Sequence, residues 1–308
     1  MTRILLVAVL AAACGKAKDT GSDPVVVPAP AVGSAAGEPC QALPFAESAP
    51  VAEASGAAWL TLDGRPALVV ISDSGNAGAY AIVDAETGES RETGALPLGE
   101  AGDDIEGLAT RGDTIVGVTS SGWIRAWTRV AGGFALAEPA YPLGPVDLPN
   151  KGGMGDKPPA GTGMVCGARA TNCGRNYEGL CFVDPAHAKG PCVGFAASKA
   201  DGHLYCIVEE AGKLAVKFAP RISIGRPGVV ADCAFSEDGT LWVGSNLFDL
   251  AQVYRVDGWA TPESAKVVAL APLGIGFPET LAVRGDVIYR MSDTGGAPSL
   301  MTKFRCTR

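Results

Sequence analysis

The stretch DDIEGLATRGDTIVGVTSSG, from Asp103 to Gly122, decides how this chain is read. It opens on acids, turns hydrophobic, bends at Arg111-Gly112-Asp113, runs hydrophobic again and stops at Ser121-Gly122. Two short β-rich runs around a Gly-containing turn are the signature of a hairpin. A carboxylate is out of place on an apolar strand unless something at that end needs it, so Glu106 at the entrance asks for an explanation.

The same frame returns along the chain, as NYEGLCF at Asn176 to Phe182 and FPETLAV at Phe277 to Val283, while VADCAFS at Val230 to Ser236 fits with Asp232 in place of Glu. Each copy is followed by a turn, a second β-rich run (DTIVGVTSSG, PCVGFAASKADG, GTLWVGSN, DVIYRMSDTGG) and a third (WIRAWTRV, HLYCIVEE, AQVYRV, SLMTKFRC). An earlier unit, AAWLTLDGRPALVVISDSGNAGAYAIVD, has the rhythm without the acid. Short strands between Gly, Asp and Ser turns, with almost no amphipathic helix, predict an all-β chain. Self-similarity at a spacing near the ~40 to 45 residues of a four-stranded unit predicts the blades of a single β-propeller. Five are counted, with six as the alternative count and a β-sandwich as the alternative fold. The last unit has no fourth strand before Arg308, and PCQALPFAE, Pro39 to Glu47, can supply it and close the ring. Closure removes exposed edges, which an all-β fold must manage.

In such a ring the first strands begin, and the second-to-third loops open, on one face. Glu106, Glu178, Asp232 and Glu279 therefore collect there with Asp73, Asp293 and Asn246. The Gly- and Pro-rich insertion, Gly144 to Asn176, emerges on the same face and explains why the step from Glu106 to Glu178 is the longest. Converging carboxylates repel unless protonated, hydrogen-bonded or bridged by a cation, and Ca²⁺ with its oxygen ligands is the cofactor expected. The competing expectation is that these acids accept backbone N–H groups of the neighbouring blade and brace the ring. His203 is the only histidine expected on this face, as a weak candidate for moving protons; His187 falls on the other.

Before the repeats, Ile4 to Ala13 is apolar, follows Thr2-Arg3 and is too short to span a bilayer. Its end, LAAACG at Leu10 to Gly15, resembles a bacterial lipobox, which implies removal of residues 1–13, lipidation of Cys14 and export to the bacterial envelope. Gly15 after the cysteine favours the outer membrane in that family. The segment 14–38 is rich in Gly, Pro, Ala and Ser, lacks aromatics, and reads as a tether that could reach about 80 Å at ~3.3 Å per residue. The propeller domain then covers 39–308. Export makes disulfides of the cysteines beyond Cys14. Spacing suggests Cys166 with Cys173 and Cys181 with Cys192 across a hairpin, leaving Cys206 for Cys233 and Cys40 for Cys306. Zinc is disfavoured, since there is no CxxC and only 2 His.

The E-G-L-A and E-G-L-C units, with SDSGN and SDTGG at later turns, resemble the esterase-like-phytase group of propellers. DCAFSEDGTLWVGSN, Asp232 to Asn246, is similar to a blade of the gluconolactonase and senescence-marker-protein propellers, in which a carboxylate at such a strand start helps bind a divalent metal. The resemblance implies a metal role for Asp232, Glu106, Glu178 and Glu279, and metal-assisted hydrolysis of a phosphoester, ester or lactone. Those families usually have six blades, against five counted here. The other function class is a surface propeller, anchored to the membrane by its lipid and monomeric, that binds a protein, glycan or small molecule through the acidic face. A net charge of −8 without a basic cluster argues against nucleic acid. There is no G-x-S-x-G elbow, phosphate loop or H-E-x-x-H.

Overall fold

The computed structural model describes residues 40–146, 165–246, 253–270 and 277–306. The expected signal sequence at 1–13, Cys14 and the expected tether at 14–38 lie outside the described residues, as does the middle of the insertion. Two short strands come first, β1 (Gln41–Leu43) and β2 (Ser48–Ala52). Four antiparallel sheets then follow in chain order. Blade one contains β3 (Ala54–Leu62), β4 (Arg65–Ser72), β5 (Ala79–Asp84) and β6 (Ser90–Ala95). Blade two contains β7 (Ile105–Arg111), β8 (Thr114–Thr119), β9 (Trp123–Val130) and β10 (Gly133–Pro142). Blade three contains β11 (Tyr177–Phe182), β12 (Gly194–Ser198), β13 (His203–Glu210) and β14 (Lys213–Ser223). Blade four contains β15 (Val230–Phe235), β16 (Leu241–Ser245), β17 (Val253–Asp257) and β18 (Lys266–Ala269).

The fifth blade is assembled from both ends of the chain. Its inner strand is interrupted, as β19 (Phe277–Pro278) and β20 (Ala282–Arg284), and is followed by β21 (Val287–Asp293) and β22 (Pro298–Arg305). Both β1 and β2 pair antiparallel with β22 and supply the outer strand. The closing segment expected at 39–47 is thus present but continues to Ala52.

The core lies between blades. On β4, Leu68 and Val70 pack toward the fifth blade, while Ala67, Val69 and Ile71 pack toward the second. Sheets buried on both faces need near-continuous apolar strands, which is why ALVVI and its counterparts carry little polar alternation. Separate hydrophobic clusters fill the contacts of blades two with three, three with four, four with five and five with one. The last of these closes the ring, a five-bladed β-propeller.

The inner strands approach one another backbone to backbone. A methyl group built on Gly107 would stand 2.6 Å from the Leu180 nitrogen and 2.7 Å from the Gly179 Cα; one on Gly179 would stand 2.6 Å from the Asp232 Cα. Contacts this short with backbone cannot be relieved by a rotamer, so the glycine of each E-G-L unit is required by blade spacing.

Four disulfides are formed. Cys40–Cys306 ties β1 to the end of the chain and Cys166–Cys173 closes a small loop, both as expected. The other two correct the sequence-based pairing: Cys181 joins Cys233, and Cys192 joins Cys206. The residues after Cys181 do not make a tight hairpin. Val183 to Val193 is a wide connection with a 3₁₀ turn at Pro185–His187, and Val193 donates its N–H to the Ile207 carbonyl 2.8 Å away. Cys192 is thereby placed against β13, beside Cys206. Cys181 faces blade four and meets Cys233 on that blade's inner strand.

The second half of the insertion is docked rather than loose. Cys166 N–H bonds the Ser121 carbonyl at 3.1 Å, Trp123 Nε1 donates to the Cys166 carbonyl at 2.9 Å, and Asn172 N–H bonds the Ser120 hydroxyl at 2.8 Å. Residues 165–176 therefore pack on the β8–β9 turn of blade two and on Gly102 ahead of β7, on the acid face.

Candidate functional site

A repeated irregularity brings the glutamates to one mouth. The β3–β4, β7–β8 and β11–β12 registers each slip by one residue, at Ser55, Glu106 and Glu178. In the fifth blade the N–H groups of Glu279 and Thr280 both reach the Met291 carbonyl, at 3.0 and 3.4 Å. A bulge leaves one residue out of the ladder and re-aims its side chain. In blade four the slip between Val230 and Asp232 falls on Ala231. The equivalent positions are thus Ser55, Glu106, Glu178, Ala231 and Glu279, and Asp232 stands one residue further along, in the column of Gly107 and Gly179.

That shift gives Asp232 a different job. Its oxygens accept the N–H of Cys233 and of Leu281, each at 2.7 Å, so it braces blade four to blade five. Burial pushes its carboxyl well above the usual range despite those bonds. Asn246 donates Nδ2 to the Gly228 carbonyl at 3.0 Å, and Asp293 accepts the Gly295 N–H at 2.7 Å; both organise their own loops.

The remaining acids form two groups. Oxygens of Asp73, Asp104 and Glu106 all lie within 4.8 Å of one another. Asp103 arranges this meeting: its Oδ2 accepts the N–H groups of Gly75 and Ala77, at 2.9 and 3.2 Å, and so ties the blade-one loop carrying Asp73 to the entrance of β7. Asp104 and Glu106 are buried, and none of the three makes an ion pair among the described residues. Asp104 Oδ2 accepts the Ser120 hydroxyl, whereas its Oδ1 is buried without a hydrogen-bond partner. Burial, with Asp73 and Asp103 nearby, pushes the Asp104 carboxyl up to about 6. Glu106 is driven well above the usual range by burial and by Glu178 and Asp73, and burial also raises Asp73. An all-oxygen set with an orphaned buried oxygen fits a hard divalent cation, which these three residues would hold with backbone or water oxygens completing the shell.

The second group already contains its cation. Lys199, on the turn after β12, places Nζ 2.8 Å from Glu178 Oε2 and 3.3 Å from Glu279 Oε1. Asn176 donates Nδ2 to the other oxygen of Glu178 at 2.6 Å. One ammonium cannot neutralise two buried carboxylates. Burial carries Glu178 up to about 8 even against the pull of Lys199, and Glu279 is raised as well; Lys199 itself is raised, the carboxylates outweighing its burial. His203 belongs elsewhere: its Nδ1 is 3.2 Å from Asp201 Oδ1, beside Arg175 and Tyr205 on blade three.

Sequence reasoning missed Asp104 and Lys199. Asp104 stands in the quoted stretch, two residues before Glu106; Lys199 is unremarkable in SKADGH until the fold puts Glu178 and Glu279 on either side of it. A further feature is a cavity of about 930 Å³ on the opposite face, where the inner strands end, lined by Ala58, Trp59, Leu108, Leu180, Ala234 and Val283. The exposed pairs Arg111–Glu209 and Arg284–Glu237 stand at its rim.

No protein-family model and no curated protein matches the chain. Among solved structures it is similar to the Myxococcus xanthus glutaminyl cyclase, at 13% identity over 88% of this chain and 100% of that one with a TM-score of 0.48. It is also similar to the Xanthomonas campestris gluconolactonase XC5397, at 12% identity over 78% of this chain and 69% of that one with a TM-score of 0.41. At such identities neither alignment transfers a residue role, and the blade count rests on this chain's own strand pairing.

Proposed function

We propose that this chain is an exported propeller, lipidated at Cys14 and held at the outer membrane, whose acidic face binds a ligand through a Ca²⁺ ion held by Asp73, Asp104 and Glu106. The observation that carries the reading is the meeting of three carboxylates within 4.8 Å without an ion-pair partner among the described residues, one of them with a buried oxygen that lacks a hydrogen bond. An uncompensated cluster of this kind costs stability unless protons or a cation neutralise it. Three carboxylates around one Ca²⁺ leave a net negative charge, and Asp293 at the same mouth adds to it. The ligand it suits is therefore neutral or cationic and rich in oxygen donors, and not a polyanion.

The same site supports a second reading, metal-assisted hydrolysis of an ester, phosphoester or lactone. The cation would supply Lewis-acid polarisation of a substrate oxygen. Glu178, raised by burial to about 8 and outside the three residues that would hold the ion, is the carboxyl suited to donate a proton at neutral pH.

Adding Ca²⁺ at about a hundredfold its Kd to EDTA-stripped protein at pH 8 is expected to raise Tm by about 5 °C or more, and Asp104→Asn and Glu106→Gln to abolish the rise. An unchanged wild-type Tm sinks the metal reading. If the rise is seen, turnover of ester, phosphoester or lactone substrates that is lost in both variants selects the hydrolase; binding without turnover selects the receptor. For the anchor, Cys14→Ser is expected to move the protein from the membrane to the soluble fraction of cells. Membrane retention of that variant would remove the lipid from the proposal.

A further inference from the structure

We propose that the Lys199 ammonium is a built-in counter-ion filling a second cation position, between Glu178 and Glu279, so that the acidic face takes one divalent ion rather than two. The inference rests on the metal reading of the face for the first ion and on the geometry of Lys199 for the second. Glu178 and Glu279 come from blades three and five; the intervening blade carries Ala231 at the equivalent position, which leaves a gap with acids on both sides. Lys199 reaches into that gap from the β12–β13 turn, within 2.8 and 3.3 Å of the two carboxylates.

This is not a surface lysine that happens to touch acids. Its own N–H bonds the Asn176 carbonyl at 3.0 Å, and its carbonyl accepts the Gly228 N–H at 2.6 Å, so the backbone is fixed from blades three and four. Both glutamate side chains are almost completely buried, and the Lys199 side chain is 22% exposed. Oxygens from two blades already meet on a single cationic Nζ, and oxygen-only coordination is what Ca²⁺ uses. Lysine occupies the position with one charge where a divalent ion would bring two. The protein thereby keeps a preformed half of the mouth at any Ca²⁺ concentration, and only the Asp73, Asp104 and Glu106 half responds to the ion.

The test is Ca²⁺ stoichiometry by isothermal titration at pH 8, with Tb³⁺ luminescence as a second readout, on wild type, Lys199→Met and Lys199→Arg. One ion is expected in wild type and in Lys199→Arg, and two in Lys199→Met, whose Tm in EDTA falls and recovers with Ca²⁺. Restoring a single ion in Lys199→Met/Glu279→Gln would confirm where the added one sits. If Lys199→Met binds no more ions than wild type, or stays unfolded at every Ca²⁺ concentration, Lys199 is only a brace and the inference is wrong. A wild type that binds none while Lys199→Met binds one defeats the metal reading of Asp73, Asp104 and Glu106 and leaves only the part of the inference that places Lys199 in a cation position.

Discussion

Replacing Cys40 and Cys306 with serine is expected to lower Tm by about 10 to 20 °C. The bond spans 266 residues, so in the unfolded chain it restrains nearly the whole domain. Loop-closure entropy for a crosslink of that span is worth about 5 kcal/mol, and each kcal/mol moves Tm by roughly 2 to 4 °C in a domain of this size. The folded state has little to replace it with at that point: β1 is only three residues long, and two of them are exposed. Cys306 also packs against Leu281, Val283 and Phe304, between blades four and five. Replacing Cys181 and Cys233, whose bond spans 52 residues between neighbouring inner strands, should cost less, about 4 kcal/mol. Urea melts of both double variants check the order. If the Cys40/Cys306 variant loses only a degree or two, β2 alone holds the ring shut.

In EDTA the protein should be at least about 5 kcal/mol more stable at pH 5 than at pH 8. Glu178 rises from an ordinary 4.5 to about 8 on folding, and Asp104 from 3.8 to about 6. A carboxyl whose pKa is raised binds its proton more tightly in the folded state, so stability falls as pH climbs from the unfolded value and stops falling above the folded one. Between pH 5 and 8 that window covers Glu178 almost entirely and the upper part of the Asp104 titration, at roughly 1.4 kcal/mol per unit. Lys199 stays charged throughout and adds no slope. Carboxyls held low, such as Asp84 and Glu92, act below this window, where stability is lost as pH falls. Urea unfolding in EDTA at each pH gives the slope directly; Glu178→Gln should reduce it by about one proton's share, the raised Asp104, Glu106 and Glu279 carrying the rest, and Ca²⁺ should restore stability mainly at the alkaline end. A flat profile in wild type would mean that Glu178 is ionised against Lys199 at every pH.

The repeat was legible because the physics that builds it is local. Each blade needs short apolar strands, Gly and Asp turns and a glycine where inner strands touch, and every one of these leaves a mark in segments such as DIEGLAT and NYEGLCF. The closing role of the N-terminal segment followed from the missing fourth strand after SLMTKFRC. What failed was register. Asp232 reads as another Glu106, but its blade bulges at Ala231, and a one-residue slip sends a side chain from the mouth into the seam between blades. Cysteine pairing failed for a related reason: the span from Val183 to Val193 looks like a hairpin turn and is a wider excursion. The site was legible only in part. Asp73 and Glu106 stand out in sequence, but the partnership of Lys199 with residues from two different blades depends on closure of the ring.

The joint at Cys40 has a mechanical meaning. Any pull carried along residues 1–39 enters the folded domain at Cys40, next to the short β1 ladder, which runs antiparallel to β22. A ladder of three residues would peel open under such a load. The disulfide passes the load directly to Cys306, and hence into β22, which is hydrogen-bonded to β21 along most of its length. Under tension the seam is the reinforced part of the ring, and the strand that completes the fifth blade is shielded from the force that would otherwise unzip it first.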